Sequence, residues 1–451
     1  MVNTNNISLN INDKKNVLLK DLSDFIEIES YANNTVAINK IVNILVDRLN
    51  KLGAKVKLVN IDKSKPFILT EIGSGPTTLL IYDHYDVMPA NPISDWKYKP
   101  FRLTQKGKLL YGRGLADNKG HLVLRLQAIE TLLKNNRTLP IKIKWIIEGE
   151  EEIGSPHIHK LSDKYQSFLK DADLCLWESG DIDDIGRPQM FLGMKGIAYF
   201  FLTCQLGKKD LHSGYASMAD SATWKLLYAL NTLRDNKGNV LINEITNKIR
   251  KPNKHIKSLV TNQKWSKKDL LKSLGRNNFL ANNGNKNNVL LRHYFGTTCN
   301  ICGIWSGSIN EKEIKTVLPS KAYAKIDFRL VENIDSNEVK KYLVDHLRKN
   351  GFNDIDVQEI INEPVALTNY RDHFFKKAVK IIENSYSKKV VITPYAKGSG
   401  PMYYIASRFN VPCIQLGAQT ISSNIHGPDE NISIDNYFKA LEATINLIVY
   451  L

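Results

Sequence analysis

The sequence contains little cysteine and no long apolar run. Its five cysteines among 451 residues are too few for a disulfide framework, which favours a reducing compartment. No segment approaches the roughly 20 apolar residues of a membrane-spanning helix. The N-terminal stretch MVNTNNISLNINDKKN is polar where a secretory signal needs an apolar core. We therefore expect a cytoplasmic protein with no membrane partner.

Acidic residues are outnumbered, since the chain has 46 Asp and Glu against 62 Lys and Arg, for a net charge of +16. Such an excess can mark a nucleic-acid partner. Many of the lysines, however, stand beside asparagine in surface-like stretches such as NGNKNN and RKPNKHIK. The chain has no basic helix and no aromatic interleaving, so we expect no nucleic-acid partner.

Cys299 and Cys302 form a C-x-x-C pair within the strand-like run TTCNICGIW. A zinc or redox site would be the functional interpretation of such a pair. No second pair lies nearby in the sequence, so a structural strand is favoured.

Strand-like and helix-like segments alternate in the first part of the chain. VAINKIVNILVDRLNKLGA and NKGHLVLRLQAIETLLKNN have the apolar spacing of helices, whereas TTLLIYDHY and IKIKWIIEGE are typical of buried strands. This alternation predicts an α/β fold with a mostly parallel sheet flanked by helices. Ligands of such sheets bind at the carboxyl ends of the strands.

From about Gly196 the pattern changes to long strand-like runs, such as AYFFLTCQL and KAYAKIDFRLV, separated by helices. The change predicts a smaller α+β insert, and 451 residues are also too many for a single core. We predict a catalytic domain formed by residues 1–195 and 366–451, interrupted by an inserted domain at 196–365.

Carboxylates and imidazoles cluster where these strands would end, in YDHYDVMP, GRGLADNKG, EGEEEIGS and LWESGD, and again in NIHGPDE. Taken singly, each has a simpler interpretation: Asp117 suits a helix N-cap, and a glutamate run is usually a solvated face. Burying several carboxylates together without a cation is costly, however. Imidazole and carboxylate without thiolate suit a pair of divalent metal ions, and the combination predicts such a site.

HYDVMPA, DWKYKPF and KLLYGRGLADNKG, in this order, resemble the signature of a known family. It is the family of di-zinc aminoacyl hydrolases and metallopeptidases that includes carnosine dipeptidase, succinyl-diaminopimelate desuccinylase, acetylornithine deacetylase, aminoacylase and glutamate carboxypeptidase. The resemblance extends from about residue 15 to the C-terminus. It implies a hydrolase that cleaves an amide bond of a small substrate with a free carboxylate, and a dipeptidase or other exopeptidase is the first choice. It also implies two divalent metal ions per chain, zinc first, with manganese or cobalt as alternatives.

The resemblance implies five metal ligands. One ion would be held by His84 and Glu178, the other by Glu152 and His426, and Asp117 would bridge both.

Two further residues are implied beside these ligands. Asp86 would hold the imidazole of His84 in the required tautomer. Glu151 would be the general base, which takes a proton from the metal-bridging water and delivers it to the leaving amine. Glu148 and Glu150 are expected to support the turn or to face solvent.

The inserted domain resembles the lid, or dimerisation, domain of the family. DLHSGYAS makes His212 the expected oxyanion donor, which in dimeric relatives comes from the partner subunit of a homodimer; a capping or core histidine is the alternative. KTVLPSKAYAKIDFRLV implies that Arg329 and Thr316 contact the substrate carboxylate. KGSGP adds Ser399 and Gly400 to that contact.

Two positions depart from the carnosine-dipeptidase-like branch of the family. Tyr395 stands where that branch has an arginine, and Lys397 stands where it has a glycine. The mode of carboxylate binding is therefore open, and Lys397 is a candidate contact for an acidic substrate group.

Two other functions stay open. An N-acyl amino acid deacylase of the acetyl or succinyl type would use the same chemistry on an acyl amino acid instead of a small peptide. A non-catalytic binding protein that keeps the fold is disfavoured, because all five metal positions and the base are present.

Overall fold

The structure is a computed structural model that describes residues 13–136, 138–261, 263, 265–280, 285–310, 312–396 and 398–451. The chain divides into two compact units. The first comprises the described residues up to Leu192 with Leu367–Thr393 and Gly400–Leu451, and the second comprises Gly193–Ala366 and Pro394–Ser399. The assignment of a catalytic and a lid role to such units stays a prediction.

The described helices are as follows: α1 (Lys15–Ile26), α2 (Thr35–Lys51), α3 (Lys119–Asn136), α4 (Ile158–Lys164), α5 (Gln166–Lys170), α6 (Ala222–Asn231), α7 (Asn243–Thr246), α8 (Lys254–Thr261), α9 (Lys267–Ser273), α10 (Lys286–Phe295), α11 (Ser336–Lys349), α12 (His373–Tyr386), α13 (Met402–Ile405) and α14 (Ile434–Tyr450). Within these described residues, no helix combines the length and apolarity needed to cross a membrane.

The described strands are as follows: β1 (Lys55–Val59), β2 (Phe67–Ile72), β3 (Thr78–His84), β4 (Thr104–Lys106), β5 (Leu109–Tyr111), β6 (Lys142–Glu148), β7 (Leu174–Trp177), β8 (Gln189–Phe191), β9 (Gly193–Met194), β10 (Gly196–Gln205), β11 (Leu211–His212), β12 (Thr298–Ser306), β13 (Val317–Leu318), β14 (Lys321–Leu330), β15 (Ile355–Glu363), β16 (Ala366–Leu367), β17 (Val391–Thr393), β18 (Cys413–Gln415) and β19 (Asn431–Ser433).

The main sheet of the first unit has the strand order β1-β2-β6-β3-β7-β18. From β6 to β18 neighbouring strands are parallel, whereas β1 and β2 extend the β6 side with antiparallel pairing. Every residue of β3 is buried, and β6 is buried after its first residue, which explains why both sequences are almost continuously apolar. The α/β fold with helices around this sheet is confirmed.

Helix α3 packs against β3, α1 and α14. It is buried from Lys119 to Ile129, including its polar residues Lys119, His121, Arg125 and Gln127, so this part presents no exposed polar face. Because α3 starts two residues after Asp117, its burial fixes the loop that carries this carboxylate.

The second unit contains an antiparallel sheet in the order β12-β14-β10-β15. Burial alternates along β10 and β14, so one face of this sheet is apolar. Helices α6 and α11 cover that face, for example with Leu226 and Leu343. Cys299 belongs to this core, whereas Cys302 is exposed and its Sγ donates to Asp327, so the C-x-x-C pair lies in a strand with its thiols apart.

Candidate metal centre

Three neighbouring strands of the first unit bring functional side chains to one edge of the sheet. Strand β3 ends at His84, β6 leads into a 3-10 turn at Glu151–Ile153, and β7 is followed directly by Glu178. Strand β3 pairs in parallel with β6 on one side and with β7 on the other. Their carboxyl ends therefore meet at the edge where α/β sheets bind ligands.

Asp117 lies between two imidazoles. Its Oδ1 is 3.0 Å from His84 Nε2, and its Oδ2 is 3.1 Å from His426 Nε2. Each carboxylate oxygen thus faces a different histidine, which is the arrangement that a carboxylate bridging two cations requires. Both oxygens are used in this way, so the alternative of a helix N-cap has no support.

Glu152 extends the cluster on the side of His426, because its Oε2 is 2.9 Å from His426 Nε2. Its other oxygen, Oε1, accepts a hydrogen bond of 3.1 Å from the Met88 amide. Among the described residues, potential ligand atoms of His84, Asp117 and Glu152 all lie within 4.8 Å of one another.

Glu178 extends the cluster on the side of His84. Its Oε2 is 3.7 Å from His84 Nε2, is buried, and accepts no hydrogen bond from any described residue. A buried carboxylate oxygen without a partner is unfavourable, so this atom is suited to a cation.

The electrostatics of this cluster also favour a cation. Burial raises the pKa of Glu178 to about 8, with a further rise from Asp117, although His84 opposes it. Burial and then the charge of Glu178 raise the pKa of Glu151 well above its usual range. Several carboxylates that resist ionising together, combined with two imidazoles, form a donor set that fits divalent metal ions.

Asp86 supports both sides of the cluster. Its backbone carbonyl accepts a hydrogen bond of 3.0 Å from His84 Nδ1, which leaves the Nε2 lone pair of that imidazole directed at the site. Its side-chain oxygens accept hydrogen bonds from the backbone amides of Glu151 and Glu152, at 3.3 and 3.1 Å. Asp86 therefore positions His84 and the glutamate turn together.

The other two glutamates of the run hold the turn. Glu148 is buried, and its Oε1 accepts hydrogen bonds from the hydroxyls of Tyr82 and Ser155. Glu150 Oε2 is 2.7 Å from His157 Nδ1. These contacts agree with the expected supporting role of Glu148 and Glu150, and neither residue faces solvent.

Glu430 is a supporting residue that sequence reasoning missed. Its buried carboxylate accepts hydrogen bonds from the backbone amides of Gly114, Ala116 and Asp117, at 2.8 to 3.1 Å, and from Arg113 Nη1 at 2.7 Å. It therefore holds the loop that carries Asp117. The only signal in the sequence was its place in NIHGPDE, four residues after His426.

His426 itself has a backbone φ of 62°, in the left-handed region that residues with a Cβ seldom occupy. Arg113 Nη2 donates a hydrogen bond of 3.1 Å to the His426 carbonyl. The Arg113 guanidinium therefore contacts both the His426 carbonyl and the Glu430 carboxylate, and so links the turn at His426 to Glu430.

The predicted lid residues lie in the second unit, except Gly400, which belongs to the first. His212 and Thr316 are close to each other, because β11 pairs with β13 and the Ser213 amide donates to the Thr316 carbonyl at 2.9 Å. Arg329 and Ser399 also meet, since Arg329 Nη1 donates to Ser399 Oγ at 2.7 Å.

His212 is exposed, and its Nδ1 accepts a hydrogen bond of 3.0 Å from the Gly214 amide, as the capping alternative expects. A neutral imidazole that accepts at Nδ1 carries its proton on Nε2, so the capping contact leaves an N–H donor available. Lys397 lies outside the described residues.

The chain matches the model of "Peptidase family M20/M25/M40" over residues 80–449. Among curated proteins, it is 26% identical to the Beta-Ala-His dipeptidase of Mus musculus, an alignment that covers 93% of this chain and 90% of that protein. It is also 26% identical to the Cys-Gly metallodipeptidase of Schizosaccharomyces pombe, with 96% and 95% covered.

Among solved structures, an M20 family metallo-carboxypeptidase from Sulfolobus solfataricus superimposes with a TM-score of 0.87 at 34% identity, covering 96% of this chain and 98% of that one. The family expected from HYDVMPA and the motifs after it is thereby confirmed. The match extends over most of the chain and includes every strand end described above, so the chain belongs to peptidase family M20/M25/M40 and is a metallopeptidase.

Proposed function

We propose that this metallopeptidase is a dipeptidase that cleaves the peptide bond of small substrates with a free C-terminal carboxylate. The observation that carries the proposal is the position of Asp117, with one oxygen toward His84 and the other toward His426. The names of the full-length relatives, Beta-Ala-His dipeptidase and Cys-Gly metallodipeptidase, support the choice of substrate class.

We assign the two metal positions as the sequence predicted. His84 and Glu178 would hold one ion, Glu152 and His426 the other, and Asp117 would bridge them, with zinc as the first choice. When bound, such a pair of cations acidifies a water molecule and polarises a carbonyl oxygen.

Glu151 is the proposed general base. The Asp86 side chain accepts a hydrogen bond from its backbone amide, which fixes its place beside Glu152. No described residue donates a hydrogen bond to its own carboxylate. The carboxylate is thus available to accept a proton from water and to deliver it to the amine that leaves.

The second unit would act as a lid that contributes His212, Thr316, Arg329 and Ser399. The Nε2–H of His212 is a suitable donor to a developing oxyanion. The Arg329 guanidinium, ordered by Ser399, is suited to a carboxylate because its planar donors match two carboxylate oxygens. Gly400 follows Ser399 directly and would contact the same end of the substrate.

A homodimer through the second unit is part of the proposal. Strand β12 is at the edge of its sheet and exposes Ile301 and Ile304, and helix α6 exposes Trp224 and Tyr228. The Thr223 and Ser306 hydroxyls are 2.8 Å apart, so α6 begins beside the end of β12. Apolar side chains next to an unpaired strand edge are typical of an interface between subunits. The cytoplasmic location stays a prediction from the sequence.

The test is a substrate panel with the metal-loaded protein. Dipeptides with a free amine, such as Ala-His and Cys-Gly, are compared with N-acetyl and N-succinyl amino acids, and the products are identified by mass. The proposal expects cleavage of the dipeptides at kcat/KM at least about 10-fold above that of any acyl amino acid. Faster cleavage of an acyl substrate would identify an N-acyl amino acid deacylase. Cleavage of neither class would favour the non-catalytic binding protein.

A further inference from the structure

The second unit contains an open cavity of about 320 Å³, and of its described lining residues only Arg329 is assigned a role above. Its described lining includes three basic side chains, the rings of a phenylalanine and two tyrosines, and an imidazole: Lys195, Arg292, Arg329, Phe279, Tyr294, Tyr395 and His293. None of the described residues that line this cavity is acidic. It therefore combines positive charge with apolar walls, which is the composition of a pocket for a small organic anion.

Two of the basic side chains are held in place. Lys195 Nζ donates to the carbonyls of His293 and Gly296, at 2.7 and 2.8 Å, and an ammonium has a third donor beyond these two. The Ser399 hydroxyl donates to the Lys195 carbonyl at 2.5 Å and accepts from Arg329 Nη1 at 2.7 Å. Lys195 and Arg329 are thus fixed relative to each other through one serine.

The third basic side chain, Arg292, lies on α10 and is half-buried. Within the described part of the chain, its guanidinium has neither a hydrogen-bond acceptor nor an acidic partner within ion-pairing distance. A half-buried guanidinium without a counter-charge is available to an incoming carboxylate.

The charges near the cavity do not balance one another. Two acids act on Arg329: Asp327, with Oδ1 3.5 Å from Arg329 Nε, and Glu363, whose raised pKa Arg329 opposes; neither lines the cavity. Burial, and then the charge of Arg329, lower the pKa of Lys195 to about 8. Lys195 and Arg329 therefore repel each other, and an anion between them would be stabilised.

We propose that this cavity is a second anion site, which takes the side-chain carboxylate of a C-terminal aspartate or glutamate through Arg292 and Lys195 while Arg329 holds the terminal carboxylate. The proposal rests on the dipeptidase function, and it names the substrate class: dipeptides that end in an acidic residue. The two carboxylates of such a residue are separated by a short carbon chain, so both can be held only by cations that line one pocket, as Arg292, Lys195 and Arg329 do.

The kinetic test compares Ala-Glu with Ala-Gln and Ala-Asp with Ala-Asn. Each pair differs only in a charge. We expect kcat/KM to favour the acidic member by about 10-fold or more, because a buried charge-assisted hydrogen bond is lost with the amide. Arg292→Gln should remove most of that preference while changing the kcat/KM for Ala-Gln by less than about 2-fold. Arg292→Lys should restore the preference for the acidic substrate. Arg348→Gln, an exposed arginine on α11 of the same unit, is the matched control.

A binding test separates this proposal from the peptidase assignment. Glutarate, a dicarboxylate, and butyrate, a monocarboxylate, are titrated calorimetrically into the wild-type protein and into Arg292→Gln. Glutarate binding about 10-fold tighter than butyrate, and weakened selectively by Arg292→Gln, supports the site even if no dipeptide is cleaved. Equal binding of the two acids, or equal cleavage of Ala-Glu and Ala-Gln by an active enzyme, overturns it.

Discussion

At the scale of single residues, the carboxylates of the first unit differ in what their oxygens contact. Glu148, Glu150 and Glu430 each have at least one carboxylate oxygen engaged by hydroxyls, an imidazole or backbone amides, so they hold structure, although Glu148 Oε2 is buried without a hydrogen bond from any described residue. Glu178 has a buried oxygen without a hydrogen bond, and the Glu151 carboxylate accepts none from a described residue. These last two are the carboxylates left available for a cation and for a proton.

Replacing the proposed base tests this division directly. Glu151→Gln keeps the size of the side chain but removes its ability to accept a proton, so turnover should fall by about 100-fold to 10,000-fold. The metal content, measured by mass spectrometry of the purified protein, should stay unchanged. Asp47→Asn, which removes a carboxylate from the exposed ion pair with Lys51, is the control and should keep full activity. Wild-type turnover by Glu151→Gln would refute the assignment.

From the raised pKa of the Glu363 carboxyl we predict that the stability of the second unit depends on pH. Burial raises its pKa from 4.5 to about 7, although Arg329 opposes the rise. The folded chain therefore binds this proton more tightly than the unfolded chain, and the stability that the proton confers is complete below pH 4.5 and lost as the pH rises through 7.

In Glu363→Gln, the unfolding temperature should consequently depend less on pH between 5 and 7.5 than in the wild type, by about 2 °C or more. Thermal unfolding followed by circular dichroism measures this. Glu359→Gln removes a carboxylate from the same strand and is the control. Parallel pH profiles of wild type and Glu363→Gln would contradict the prediction.

Site residues could be predicted from the sequence when the elements that position them lie nearby in the chain, and could not when those elements lie far away. His84 and Glu178 come directly after apolar runs, so their place at strand ends was predictable from local pattern. Glu430 acts on Gly114 and Asp117 from more than 300 positions away, and no local periodicity encodes such a contact. For the same reason, the positions of Arg292 and Lys195 around a common cavity were not predictable.

At the scale of elements, the turn between β6 and the 3-10 helix at Glu151–Ile153 depends on close packing against Tyr85. A Cβ on Gly149 would lie 2.2 Å from Tyr85 Cζ. Tyr85 is buried, and its hydroxyl donates to the Pro66 carbonyl at 2.7 Å, so its ring has little freedom to move away. Only glycine lets this turn present Glu151 and Glu152 to the site.

Gly149→Ala should therefore destabilise the protein by about 1 to 3 kcal/mol, as overpacking of a core does, and should also reduce activity. Urea unfolding measures the change in the free energy of unfolding. Gly154→Ala is the matched variant in the same turn, because its φ of 88° brings strain but a Cβ there meets nothing within 4 Å. Gly154→Ala should cost about 1 to 2 kcal/mol through backbone strain alone. A smaller loss of stability in Gly149→Ala than in Gly154→Ala would contradict this account.

At the scale of the whole molecule, the proposed metal ions would contribute to stability as well as to chemistry. The side chains of His84, Asp117, Glu152 and Glu178 are buried or nearly so, and carboxylates packed together repel one another without cations. Removal of the metal should lower the free energy of unfolding by about 3 kcal/mol, the contribution of a ligand present at 100 times its dissociation constant.

The measurement is thermal unfolding before and after treatment with a chelator, followed by addition of zinc. Both the unfolding temperature and the activity should fall with the chelator and return with the metal. Glu178→Gln should bind about one equivalent of zinc where the wild type binds about two. An unfolding temperature that does not respond to the chelator would argue against a buried metal pair.

The first unit is discontinuous in the chain, and this has a consequence during synthesis on the ribosome. Strand β7 pairs with β18, which follows the whole inserted segment Gly193–Ala366. Until Cys413–Gln415 has left the exit tunnel, the edge of β7 is open to pairing with other chains. His426 and Glu430 are translated later still, so a chain that ends before them lacks part of the proposed ligand set and the contacts by which Glu430 supports the Asp117 loop. If the assigned site is correct, peptidase activity is expected only after His426 and Glu430 have been added to the chain.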